Sequence, residues 1–165
     1  MSQASIWESV GRQNQQLHQA ALIEKKITFK LLSSDLENAL LFYKVFFDTE
    51  PVFQQEGLVR FEMDSLPFNL IMQKSEKPNV GAGHFGLQVK SSSVVRDMAQ
   101  RLEAAGFKLI TEAEADCCYA LQTKIWAADP DGYRWEIFVV TEAETENGCG
   151  PDCICHADFE RTVLA

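Results

Sequence analysis

The sequence predicts an α+β fold of two tandem βαβββ modules that together form a cupped mixed sheet. Three observations point there. The order strand, helix, three short strands is read over residues of about 26–75 and again over about 82–140. Apolar periodicity switches from two to near 3.6 and back at the same place in each half. Each first strand also runs through serines into an amphipathic helix.

In the first module, ITFKLLS from Ile27 reads as a strand. Ser34-Asp35-Leu36-Glu37 then reads as a capping box, in which the Ser34 hydroxyl and the Glu37 carboxylate satisfy free helical amides. A helix to about Phe47 follows, with Leu36, Ala39, Leu40, Tyr43 and Phe47 on one face. Short strands are expected over Val52 to Gln54, Leu58 to Met63 and Phe68 to Gln73. In the second module the strand is His84 to Val89, the helix Ser93 to Ala105 closed by Gly106, and the strands Phe107 to Ile110, Tyr119 to Ala127 and Arg134 to Val140. The turn Asp129-Pro130-Asp131-Gly132 has a preset φ at Pro130 and needs a positive φ at Gly132.

With 165 residues, 46% of them hydrophobic, the chain can bury one core. Residues 1–25 read as a helical extension with Ile6, Val10, Leu17, Ala21 and Leu22 at helical spacing and with His18 as a solvated residue. Residues 141–165 read as an acidic, cysteine-rich tail. No apolar run is long enough for a membrane span, and the first residues lack the order of a signal peptide, so a cytoplasmic protein is expected. Fifteen Lys and Arg against 24 Asp and Glu give a net charge of -9, with no basic patch, which argues against nucleic acid as a partner. Five cysteines, two of them adjacent, suit thiolate chemistry in a reducing compartment better than a disulfide framework.

Laying the halves on each other sets Thr28 against His84 and Asn69 against Glu136. Strand alternation sends His84, Gly86 and Gln88 to the inside of the cup and Phe85, Leu87 and Val89 under the helix. Glu136 stands in an otherwise apolar run. An unpaired carboxylate there would cost several kcal/mol, so it requires either a metal ion, shared with His84, or a salt bridge with Arg134 or Lys30. Trp126 and Trp135, flanking the turn, read as packing residues.

Cys117 and Cys118 follow the acidic stretch TEAEAD, where a loop is expected to enter the seventh strand. Adjacent cysteines make a poor disulfide with each other, but two neighbouring thiolates can clamp trivalent arsenic or a soft divalent metal. The tail adds Cys149, Cys153, Cys155 and His156, an accessory cluster able to bind Zn(II), Cd(II) or As(III), though its spacing is not that of a zinc finger. Incidental thiols and a merely cysteine-rich tail are the competing readings.

The segment DCCYALQTKIWAADPDGYRWEIF from Asp116, with GHFGLQV before it and DLENALLFYKVFF in the first module, resembles one branch of the vicinal oxygen chelate superfamily. That superfamily is also known as the glyoxalase/bleomycin resistance/dioxygenase fold, and the branch contains carbon-arsenic lyases and cadmium-induced proteins. The resemblance spans about residues 26–140. It implies Fe(II), or another divalent metal, held by a first-strand histidine, a fifth-strand histidine matching His84 and an eighth-strand glutamate matching Glu136. It further implies that thiols matching Cys117 and Cys118 hold a trivalent organoarsenical whose C–As bond is cleaved with dioxygen. The sequence departs from that pattern at Thr28, which stands where the first histidine belongs; Thr28 and Asn69 are doubtful ligands.

Three functions follow: an Fe(II)-dependent C–As lyase of dioxygenase type, a noncatalytic As(III)- or Cd(II)-binding protein, and a glyoxalase-type lyase. The expected partner is a small organoarsenical or a soft metal ion. The cup could close within one chain or across a homodimer.

Overall fold

The computed structural model describes residues 27–63, 66, 68–78, 83–117, 119–146 and 154. Strand β1 (Ile27–Ser33) leads into helix α1 (Leu36–Phe47), followed by β2 (Phe53–Gln55), β3 (Leu58–Glu62) and β4 (Phe68–Lys74). The order repeats as β5 (Phe85–Gln88), α2 (Ser92–Ala104), β6 (Leu109–Cys117), β7 (Ala120–Ala128) and β8 (Arg134–Ala143). Two four-stranded sheets result, ordered β1-β4-β3-β2 and β5-β8-β7-β6. In each, the first strand pairs in parallel with the last and the other pairs are antiparallel. The expected βαβββ repeat is therefore present. No helix among the described residues is long and apolar enough to cross a membrane.

Two local expectations are corrected. The N-cap of α1 is Asp35, whose side chain accepts from the Asn38 amide at 3.1 Å. Ser34 is drawn away from the expected capping box, because its amide and hydroxyl donate to Asp131 Oδ1 across the molecule at 2.8 and 2.6 Å. The acidic stretch before Cys117 is not a loop: it belongs to the nine-residue strand β6, with a register shift between Glu112 and Ala115 and a positive φ of 51° at Glu114. Such a bulge lets an acidic segment stay in a ladder while one extra residue is accommodated.

The two modules pair their first and last strands in different registers. Thr28 lies across from Asn69, but the residue across from Glu136 is Gly86, two beyond His84. Parity is conserved, so all four positions still lie on the cup face. Phe85 sits directly across from Trp135, with the rings 4.7 Å apart, whereas Phe29 reaches Phe68 diagonally at 5.7 Å.

A single apolar core lies between helices and sheets. Ala39, Phe42, Tyr43 and Phe46 of α1 and Val95, Met98 and Leu102 of α2 meet Leu31, Phe61, Leu70, Met72, Ile125, Trp135 and Ile137 from the strands. Phe29 and Phe85, 5.4 Å apart, join the two first strands, and Phe46 packs on Trp135 at 4.9 Å, so the core is continuous across the modules.

The Asp129–Gly132 turn ties the halves together, with Gly132 at the expected positive φ of 92°. Buried Asp129 accepts from the Asp131 and Tyr133 amides through Oδ1, at 3.0 and 2.8 Å. Its Oδ2 accepts from the Tyr43 hydroxyl at 2.8 Å, and that hydroxyl in turn accepts from Trp135 Nε1 at 3.2 Å. Burial outweighs these hydrogen bonds and pushes the Asp129 carboxyl up from 3.8 to about 6.

A group that binds its proton more tightly when folded contributes stability at low pH, and loses it as pH rises from the unfolded value through the folded one. Wild-type stability relative to the Asp129→Asn variant is therefore expected to fall by about 2–3 kcal/mol between pH 4 and pH 7. Urea unfolding of both proteins across that range checks this, and parallel pH profiles would refute it.

Candidate functional site

Alternation divides the second sheet into two faces. Ile125, Ala127, Trp135 and Ile137 enter the core, while Gln122, Lys124 and Trp126 of β7 and Glu136 of β8 lie on the opposite, cup face. Across the β6–β7 pair, Ala115 faces Gln122 and Cys117 faces Ala120, which puts Cys117 on the cup face too. Gly86 permits close packing here: a Cβ on it would stand 3.3 Å from the Phe138 ring and 3.8 Å from Glu136 Oε2.

Glu136 does find a salt bridge, but with neither expected partner. Lys124, a side chain with no exposed surface, places Nζ 2.9 Å from Glu136 Oε1. Arg134 instead donates to the Gly83 carbonyl at 3.5 Å. Burial pulls the Lys124 ammonium down, but hydrogen bonds to Glu136 and to the Cys117 sulfur outweigh it and hold the ammonium well above the ordinary lysine range. One ammonium cannot by itself neutralise both Glu136 and a Cys117 thiolate.

His84 Nε2 lies 3.4 Å from Glu136 Oε2, with its ring edge-on to Trp126 at 4.8 Å. Donors 2.0–2.2 Å from one ion stand about 3.0 Å apart at a right angle and about 3.4 Å apart at a tetrahedral one. The separation therefore fits two ligands of a common divalent cation. Among the described residues no group of three or more His, Cys, Asp and Glu gathers to complete a metal site. Thr28 is exposed, and no hydrogen bond joins it to His84 or Glu136. Across from it, Asn69 has a buried Oδ1 without a partner among the described residues.

Cys117, 2% exposed, is the last residue of β6. The chain beyond β8 returns to the same hairpin: the Thr145 amide donates to the Tyr119 carbonyl at 2.8 Å and its hydroxyl to Asp116 Oδ1 at 2.6 Å. Cys118, the tail residues Cys149, Cys153, Cys155 and His156, and the extension over 1–25 lie outside the described residues.

Sequence reading missed Lys124 and Gln122, although QTKIWAA carried a signal: a lysine at inward parity in a strand of apolar residues. The reading of the tryptophans as packing residues holds for Trp135. Trp126 lies outside the core cluster, fully buried on the cup face, and donates to Glu112 Oε2 at 2.8 Å.

Comparison with known proteins agrees with the fold. Residues 23–137 match the Glyoxalase/Bleomycin resistance protein/Dioxygenase superfamily. A cadmium-induced protein of Mycobacterium tuberculosis is 35% identical over 130 residues, 76% of this chain and 83% of that one. A trivalent organoarsenical cleaving enzyme of a Bacillus strain is 35% identical over 124 residues, covering 74% and 77% of the two chains. Among solved structures, a glyoxalase/bleomycin resistance protein/dioxygenase from Nocardioides superposes with a TM-score of 0.57 at 18% identity, covering 84% of this chain and 99% of that one.

Removing one partner of a buried ion pair strands the other. Lys124→Met is expected to cost about 3–5 kcal/mol, and adding Glu136→Gln in the same chain should recover most of it. Guanidinium unfolding of the two single variants and the double variant reads this coupling; additive losses would show that the pair is not one unit.

Proposed function

Because the chain belongs to the Glyoxalase/Bleomycin resistance protein/Dioxygenase superfamily, we propose that it is a metalloid-resistance protein that cleaves the carbon–arsenic bond of trivalent organoarsenicals. One observation favours this reading most: Cys117 of β6 lies on the same cup face as the buried Lys124–Glu136 pair and His84, so a thiophilic ligand on the hairpin would share that face with the His84–Glu136 pair. Relatives named as trivalent organoarsenical cleaving enzymes, 31–38% identical, support it.

In this reading Cys117 and Cys118 hold the arsenic. Two thiols from adjacent residues replace two oxygen ligands and orient the third substituent, so positioning replaces chance encounter. His84 and Glu136 would hold a divalent metal, with Thr28 or Asn69 as candidate oxygen donors on the first module. Fe(II) bound there would supply dioxygen activation. Lys124 holds the Glu136 carboxylate in position, and the buried cup face excludes water from the thiol. The tail cluster Cys149, Cys153, Cys155 and His156 is an accessory acceptor. Thr145 is fixed on the hairpin, and Cys149 is four residues further on, within about 14 Å of extended chain.

Thr28 favours a second reading, in which the same thiols sequester As(III) or Cd(II) without turnover, and the similarity to a cadmium-induced protein supports it.

Protein loaded with Fe(II) without air, then given methylarsenite and oxygen, is expected to release inorganic arsenite. His84→Ala should lower that rate at least about a hundredfold, and Cys117→Ser with Cys118→Ser should abolish both release and stoichiometric methylarsenite binding. Tight thiol-dependent binding with no arsenite released would replace the lyase by the sequestering protein. Unchanged binding in the double serine variant would dismiss both readings.

A further inference from the structure

On the cup face of the second module, Gln122 is a buried polar side chain whose bonding is left incomplete. It is 6% exposed. Its Nε2 donates to the Cys117 carbonyl at 3.2 Å, while Oε1 is buried with no partner among the described residues. The carbonyl of Cys117 can only accept, so the amide orientation is fixed: the nitrogen faces the backbone and the oxygen is the unused end. Lys124, two residues along the same face, directs a donor to Glu136. A buried amide oxygen without a donor is rare in native proteins, and a ligand is one thing that can supply one.

We propose that Gln122 Oε1 accepts a hydrogen bond from a hydroxyl carried by the trivalent metalloid bound at Cys117, and so selects for hydroxyl-bearing inorganic As(III). This rests on the thiol-site reading above. Arsenous acid reacts with two thiols by exchanging two hydroxyls: each thiol proton leaves with one hydroxide as water, two As–S bonds form, and one As–OH remains. A hydrated aryl- or alkylarsenical reacting in the same way loses both hydroxyls, keeps its As–C bond and has no donor for Gln122. The acceptor thus distinguishes inorganic arsenic from its carbon-substituted forms, and it would hold the arsenite product of C–As cleavage more tightly than the substrate.

The test uses the reduced full chain with Cys149, Cys153 and Cys155 replaced by Ser, so that tail thiols do not compete. Arsenite and phenylarsine oxide are titrated calorimetrically into this background, and into the same background carrying Gln122→Met or Gln122→Glu. The methionine variant keeps length without an acceptor, and the glutamate variant keeps an acceptor without the donor to Cys117. Gln122→Met is expected to weaken arsenite about tenfold while phenylarsine oxide stays within about twofold, and Gln122→Glu should retain the preference for arsenite. Equal weakening of both ligands, or of neither, overturns the proposal, as does equal loss of preference in the two variants, which would assign the effect to the Cys117 bond. Cys117→Ser leaving both affinities unchanged would instead remove the thiol site itself, and this inference with it.

Discussion

The buried ion pair between Lys124 and Glu136 is the constraint around which the second module is arranged. Each charge by itself would cost several kcal/mol on this face; at 2.9 Å they satisfy one another, and the remaining bonds of each are directed outward. Glu136 offers its second oxygen to His84, and Gln122, beside Lys124 on the same face, bonds the Cys117 carbonyl. Elements distant in sequence, the start of β5, the end of β6 and the middles of β7 and β8, are thereby held to one polar cluster.

That cluster is possible because β7 and β8 separate their tasks by parity. The residues facing the helices are apolar and join a core that also includes α1 of the other module, so the strands are held in register by Ile125, Trp135 and Ile137. The cup face is relieved of packing duty and can carry charge. The first module has the same topology but lacks the charge: Thr28, Lys30, Asn69 and Ile71 occupy its cup face in register, without a buried ion pair among the described residues. The two modules share a topology, and the buried charge lies in one of them.

Much of this was legible in the sequence, for a physical reason. Periodicity is imposed by the core, so the two βαβββ units and the inward parity of His84 and Glu136 could be read directly. Ser34 could not, because its competitor for the helix cap, Asp131, is 97 residues away. The acidic strand β6 also resisted reading: a bulge breaks its alternation, and its charges are tolerated only where one face meets solvent or Trp126. Lys124 was hidden by the same logic that exposed Glu136. A buried charge announces that it has a partner without naming it, and spacing favoured the nearer Arg134 and Lys30 over a residue whose proximity depends on the antiparallel β7–β8 register. How Thr28 stands relative to His84 also lay beyond sequence, since the parallel registers of the two halves differ by two residues.

Charge balance then bears on which ligands suit the cup. A hard dication approaching Glu136 meets an ammonium already there, and must either displace it or share the carboxylate from the side of His84. A neutral trivalent arsenical meets no such penalty: its hydroxides leave as water with the thiol protons, and the bound product is neutral, with the Lys124–Glu136 pair undisturbed. Forming an As–S bond at Cys117 sends the thiol proton out with hydroxide as water and so places no thiolate charge in this buried site. The same ion pair that organises the face therefore tilts it toward thiophilic, uncharged electrophiles, and leaves any metal to enter by the His84 edge, where the Glu136 oxygen opposite Lys124 is still available.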